Sequence, residues 1–170
     1  MAKPKYAFLM IDYDTPQFIK ELHKTIPESE LYYEDGDKSK YGCEKETHVT
    51  IVPCLDNNTD IEKLKKYISP IEQYKILLTN ISKFECEKYD VLKAAVRSMV
   101  LSDTNRKIKE EFDTFSEHED YEPHITIAYM QKGMADKYLK DIITPLVVLN
   151  PNNFHYSYYD KEGCENNIKF

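Results

Sequence analysis

From Lys5 to Tyr13 the chain is apolar enough to predict a strand. Thr15-Pro16 then sets a capping residue and an N1 proline ahead of Phe18, Ile19, Leu22 and Ile26, the spacing of a helix with one apolar face. Residues 34 to 46 are polar and hold Gly36 and Gly42, so they predict a loop into a strand over His48 to Pro53. Asp60 is placed to cap a helix bearing Ile61, Leu64 and Ile68, which Pro70 ends. Residues 74 to 86 and 89 to 97 are β-prone and separated by Glu-Lys, which predicts two adjacent strands. A third helix is expected over about residues 102 to 116 with Ile108, Phe112 and Phe115 inward, then a strand from His124 to Met130. A short helix near 134 to 143, carrying Tyr138, Leu139 and Ile142, and a hairpin turning at Asp160 to Gly163 complete the chain.

This order has comparable elements in each half, which predicts a pseudo-duplicated α+β protein whose lobes each give one strand to a shared cleft. At 170 residues, 1–170 fits a single bilobal domain able to bury about two-thirds of its unfolded surface. The apolar run from Tyr6 to Ile11 is too short for a signal peptide or membrane span, so a cytoplasmic protein with no membrane partner is expected. Cys43, Cys54, Cys86 and Cys164 show no C-x-x-C spacing and fit reduced structural thiols. The net charge of -7 argues against coating long nucleic acid and leaves room for a small phosphorylated substrate in a locally basic cleft.

The candidate chemistry lies in two stretches, "THVTIVP" at 47–53 and "PHITIAY" at 123–129. Each writes His, apolar, Thr, apolar; the chain holds five histidines in all. About one histidine in a hundred is followed by this pattern by chance, so two among five arise about once in a thousand sequences. On a strand, i and i+2 share a face. His48 and Thr50 therefore face one way and Val49 and Ile51 the core; His124 and Thr126 stand likewise against Ile125 and Ile127. Imidazole serves as base or acid near neutral pH, and a threonine hydroxyl donates to phosphate oxygens. Two such pairs around one phosphorus supply two proton transfers and two anion donors with no metal or other cofactor.

The paired motifs resemble the 2H phosphoesterase superfamily. Within it, "YAFLM" at 6–10, "YGCEKETHVT" at 41–50, "EKYDVLK" at 87–93, "DYEPHITIAYMQKG" at 120–133 and a closing "YS" hairpin are similar to the phage anti-CBASS nuclease branch. The resemblance implies antiparallel sheets lining a central cleft with helices outside. It also implies a metal-independent phosphodiesterase that cleaves 3'-5' bonds of cyclic di- and trinucleotide messengers, in the host bacterial cytoplasm if viral. The catalytic positions it implies are His48, Thr50, His124 and Thr126, with the choice of acid and base open. Val52-Pro53-Cys54 departs from the aromatic and glycine that relatives often carry after the first motif. Opening of 2',3'-cyclic phosphates on RNA ends or small nucleotides is the alternative activity, and a cyclic-nucleotide sponge the alternative without turnover.

With no tryptophan and fourteen tyrosines, base stacking falls to Tyr or Phe. Tyr6, Tyr129 and Tyr156 are candidate substrate-binding residues, each with core packing as its alternative, and Tyr41 and Tyr121 lie beside the same segments. Lys132 can face phosphate or solvent, as can Arg97. "HEDYEPH" at 118–124 lacks metal-site spacing, and His23 and His155 suit packing or surface roles.

Overall fold

The computed structural model describes residues 5–116 and 120–170, so part of the His118 segment lies outside the described residues. Its frame is an eight-stranded sheet in the order β6-β3-β4-β5-β2-β1-β7-β8, with every pairing antiparallel. The strands are β1 (Ala7–Tyr13), β2 (His48–Leu55), β3 (Ile76–Glu85), β4 (Tyr89–Arg97), β5 (His124–Gln131), β6 (Val147–Leu149), β7 (Pro151–Tyr159) and β8 (Glu165–Lys169). The helices are α1 (Gln17–Thr25), the single-turn α2 (Ile61–Leu64) and α3 (Met99–Glu111). Among the described residues no helix is long and apolar enough to cross a membrane.

The sheet divides into two groups of four strands, and the two motif strands, β5 and β2, meet at the junction. Strict alternation puts Ala7, Leu9, Ile11 and Tyr13 of β1 into the core and leaves Phe8, Met10 and Asp12 on the other face. Val49, Ile51, Ile125 and Ile127 are fully buried in that core with Ile19, Leu101 and Ile108 of the helices. The opposite face of the sheet carries the candidate site.

The junction is narrow. β2 and β5 share one ladder pair, Val49 with Ile125. Beyond it the strands part, and side chains take over the backbone groups that pairing would have satisfied. Tyr121 Oη donates to Thr50 O (2.9 Å) and buried Asn105 Nδ2 to Ile51 O (2.7 Å). On the β5 side, Ile127 O accepts from Glu44 N and from His23 Nε2 (2.8 Å). His23 thus has the packing role open to it in the sequence.

Several predicted elements shift. The N-cap of α1 is Pro16, without a side-chain cap, because Thr15 Oγ1 bonds Thr47 Oγ1 instead (2.7 Å). α3 starts at Met99, capped by Ser98, and ends before Phe112; Phe115 lies past it, half exposed. The helix expected near 134–143 reduces to a single 3-10 turn, Asp136–Tyr138, with Leu139 and Ile142 exposed. There the backbone of Lys140 exchanges both hydrogen bonds with Ile81, and Ile143 N donates to Thr79 O. The segment covers the edge of β3, a stronger use of its backbone groups than a short isolated helix. The three-residue β6 extends that cover. Asp60 caps α2 as expected, accepting from Glu62 and Lys63 N–H groups.

At the loop entering β2, Gly42 has φ +75° and a Cβ built on it would stand 2.6 Å from Tyr33 Cε1. Gly42→Ala is expected to lose about 1–2 kcal/mol, from the left-handed backbone alone, before Tyr33 is displaced. A fall in Tm checks it, and an unchanged Tm would show that this turn is free to rearrange.

Candidate active site

Antiparallel register extends the Val49–Ile125 pair to its neighbours, setting His48 opposite Thr126 and Thr50 opposite His124. The four side chains occupy the corners of a rectangle on one face of the sheet, and all four are partly exposed. The two histidines fall on its diagonal, and the His48 charge is near enough to lower the His124 pKa. The pairing is visible only in space, since 76 residues separate the two motifs.

His124 Nδ1 donates to the Glu122 carbonyl (2.7 Å). A carbonyl can only accept, so Nδ1 carries the proton and Nε2 of the neutral ring is left with its lone pair. The ring stands edge-on to Phe84, 5.0 Å between centroids. Burial holds His124 below the usual imidazole range; the Glu122 carbonyl opposes this, and the Lys93 and His48 charges add to it. Opposite His48 on its other side stands Asp12, whose carboxylate accepts from Asn153 Nδ2 (2.8 Å) and pairs with Lys169 (3.3 Å). His155 Nε2 donates to Asn167 Oδ1 (2.6 Å) and its Nδ1 lies 3.5 Å from Asp12, so this histidine belongs to the network behind His48.

β4 contributes a residue that the sequence did not single out. Lys93 pairs with Thr126 across the β4–β5 ladder and so shares the site face. Its side chain is 7% exposed, with Nζ 4.1 Å from the Phe84 ring centroid and 3.6 Å from Glu122 Oε2. Burial lowers its pKa and Glu122 partly restores it. A register shift on β5 follows Thr126 (Lys93 pairs with Thr126, Leu92 with Ala128), a bulge of the kind that re-aims side chains beside functional sites.

Past that bulge, Tyr129 pairs with Val91 and so lies on the site face again. There it joins Tyr32, Tyr41 and Tyr89 in a four-ring cluster: Tyr32 stacks on Tyr89 at 4.8 Å, and Tyr41 packs edge-on to Tyr129 at 4.7 Å. Burial pushes the Tyr129 phenol up to about 12. Tyr41 holds a left-handed φ of +69°, unusual for a bulky residue. Tyr32 and Tyr89 escape a sequence reading because only the register after the bulge places them beside Tyr129.

The other sequence candidates are placed elsewhere. Tyr6 stacks on Phe115 (5.4 Å, 25°) before the start of β1. Tyr156 pairs with Leu9 on the core face, 3% exposed, and burial pushes its phenol up to about 12. The polar alternation of β7 points the neighbouring His155 and Ser157 the other way. Lys132 Nζ donates to Cys86 O (2.9 Å) and pairs with Asp90 (3.1 Å), so its charge is engaged at the exit of β5 rather than beside Thr126. In the departing segment after the first motif, Cys54 adopts φ +53°, a backbone state that glycine takes without strain.

No family model and no curated protein matches the chain. Among solved structures it is similar to Usb1 of Kluyveromyces marxianus, with a TM-score of 0.55 and 7% identity over 96% of this chain and 97% of that one. It is also similar to E. coli LigT in its apo form (TM-score 0.46, 16% identity) and complexed with 3'-AMP (0.46, 18%), each over 99% of this chain and 96% of that one. The likeness to Usb1 is one of architecture, and it agrees with the α+β fold of antiparallel strands and few helices that the sequence predicts.

Proposed function

We propose that the protein is a phosphodiesterase that cleaves 3'-5' bonds of cyclic di- and trinucleotides, using His48 and His124 as its acid–base pair. The observation that carries the reading is the register: one ladder pair, Val49–Ile125, brings the two His-x-Thr motifs side by side on one face of the sheet. In-line displacement at phosphorus needs a base and an acid on opposite sides of the same atom, each about 2.6–3.2 Å from its oxygen. Diagonal imidazoles suit that demand, and Thr50 and Thr126 on the other diagonal can donate to the non-bridging oxygens.

His124 is the proposed base. Its Nδ1 proton is held by a carbonyl and its pKa is depressed, so its Nε2 lone pair is available at lower pH than that of an ordinary imidazole. It takes the proton from the attacking 2'-hydroxyl or water; that oxygen bonds phosphorus, the bond to the 5'-oxygen breaks, and His48 protonates the departing oxygen. The rate is expected to be bell-shaped in pH. Its acid limb, where His124 gains a proton, should fall below the ordinary imidazole value of about 6.5. Activity monotonic between pH 5 and 9 would rule this pair out.

A small substrate fits the net charge of -7, and the tyrosine cluster beside Thr126 offers rings for a base attached to the reacting phosphate. Acting in an infected bacterium, such an enzyme would remove the cyclic nucleotide signal of antiviral defence, the role implied by the anti-CBASS resemblance. The direct test incubates the protein, with and without EDTA, with cyclic di- and trinucleotides and with 2',3'-cyclic AMP, and reads products by mass. Cleavage of the cyclic dinucleotide in EDTA is expected. Cleavage of 2',3'-cyclic AMP alone would favour the RNA-end activity, and tight binding without products a sponge.

A further inference from the structure

We infer that Lys93 is the fixed cation of this site and binds the non-bridging oxygens of the substrate phosphate, displacing Glu122. This rests on the reading of the His/Thr rectangle as a phosphodiester site, and it adds a substrate-contacting residue from a strand that carries neither motif.

Lysine is among the residues least often buried unless paired, yet Lys93 is 7% exposed on the face opposite the core. The carboxylate that faces it, Glu122, stands at 3.6 Å, beyond hydrogen-bond length, and is itself 64% exposed. The other contact is the Phe84 ring, a weak partner for a desolvated ammonium. A buried charge so loosely compensated gains most from an anion that comes closer than its resident counter-ion. The position suits that anion. Lys93 pairs with Thr126 across the ladder, and both Nζ and the His124 ring rest on Phe84, at 4.1 and 5.0 Å from its centroid. Phe84 walls the ammonium on one side, and Glu122 at 3.6 Å is its resident counter-ion. His124 is held by the backbone carbonyl of Glu122, not its carboxylate, so the 64% exposed side chain can swing to solvent without breaking that hydrogen bond.

The charged groups around His124 are Lys93 from β4, His48 from β2 and Glu122 from the segment before β5. Removing them one at a time therefore moves His124 in opposite directions. Lys93→Met keeps the length and drops the charge. It is expected to lower kcat/KM on a cyclic dinucleotide about 100-fold, the scale of one lost phosphate donor, and to move the acid limb up, because a neighbouring cation no longer opposes protonation. Lys93→Arg should recover a large part of the rate. Glu122→Gln, which does not touch the buried stem, should tighten binding of inorganic phosphate and move the acid limb down.

The measurement that separates this from the functional reading is substrate-free. His124 is titrated by NMR in wild type, K93M and E122Q, with and without inorganic phosphate. Saturable phosphate binding that weakens at least tenfold in K93M and strengthens in E122Q supports the anchor even if no phosphodiester is turned over. Phosphate binding and His124 titration unchanged in both variants overturn it, even if the wild type cleaves cyclic dinucleotides. Should K93M fail to fold, E122Q decides: tighter phosphate binding supports the anchor, and unchanged binding assigns Lys93 to packing on Phe84.

Discussion

His48→Ala and His124→Ala are each expected to cut turnover by about 10²–10⁴-fold, the contribution of a positioned acid or base. The folded state should survive both changes. Neither ring enters the core, whose contacts at the junction come from Val49, Ile51, Ile125 and Ile127. His124→Ala gives up one hydrogen bond and the edge contact with Phe84, a cost of about 1 kcal/mol, and His48→Ala leaves the ladder untouched. If the two groups act on one phosphorus in one step, as proposed, the double variant should be little worse than the poorer single one. Multiplicative losses would mean that the histidines serve separate steps, and a single variant within tenfold of wild type would remove that histidine from the chemistry. The measure is product formation from a cyclic dinucleotide at saturating substrate, with Tm as the control for folding.

Much of this arrangement was legible along the chain because strands write their two faces in alternate letters. At the two motifs the alternation is clean, with Val49, Ile51, Ile125 and Ile127 fully buried between half-exposed His and Thr. The limits follow equally from physics. A bulge shifts parity by one residue, so nothing in "HITIAYM" says that Tyr129 shares a face with Thr126 while Ala128 does not; the register with β4 decides it. In "DVLKAAV" a lysine among apolar residues looks like a solvated position, and its burial comes from Phe84 on the neighbouring β3. Amphipathic spacing near residues 134–143 predicted a helix, yet the edge of β3 offered that backbone better partners. Tyr156 takes the core packing that the sequence left open as its alternative. Both faces of β7 are buried from Phe154 to Ser157, so its letters do not tell core from site.

The largest expected loss of stability comes from a residue behind the site, Asp90→Ala, at about 3 kcal/mol, the lower end of the range for breaking a buried ion pair. Asp90 is fully buried on β4, where Oδ2 accepts from Gly133 N (2.8 Å) and lies 3.6 Å from Lys83, and Oδ1 lies 3.1 Å from Lys132. Its carboxylate therefore pins the turn that leaves β5 to the β3–β4 pair. Lys83 keeps Glu85 (2.7 Å) and Asp136 (2.6 Å), which holds the loss below that of a fully stranded charge. Burial by itself would raise the Asp90 pKa, but Gly133 N–H, Lys132 and Lys83 together bring it below the ordinary value. The unfolded chain thus takes up its proton first as pH falls. The stabilisation is fully present above about pH 4, the ordinary aspartate range, and is lost as pH drops toward the depressed native value. Asp90→Asn keeps an acceptor for Gly133 and removes only the charge. Its deficit against wild type, read by denaturant unfolding, should be constant from pH 5 to 8 and shrink below pH 4. A deficit that persists at low pH would assign the role of Asp90 to its hydrogen bonds rather than its charge. Since β5 runs from Gln131 at this turn back to His124, loosening the turn should also lower turnover while leaving the pH of the acid limb in place, which distinguishes a displaced strand from an altered base.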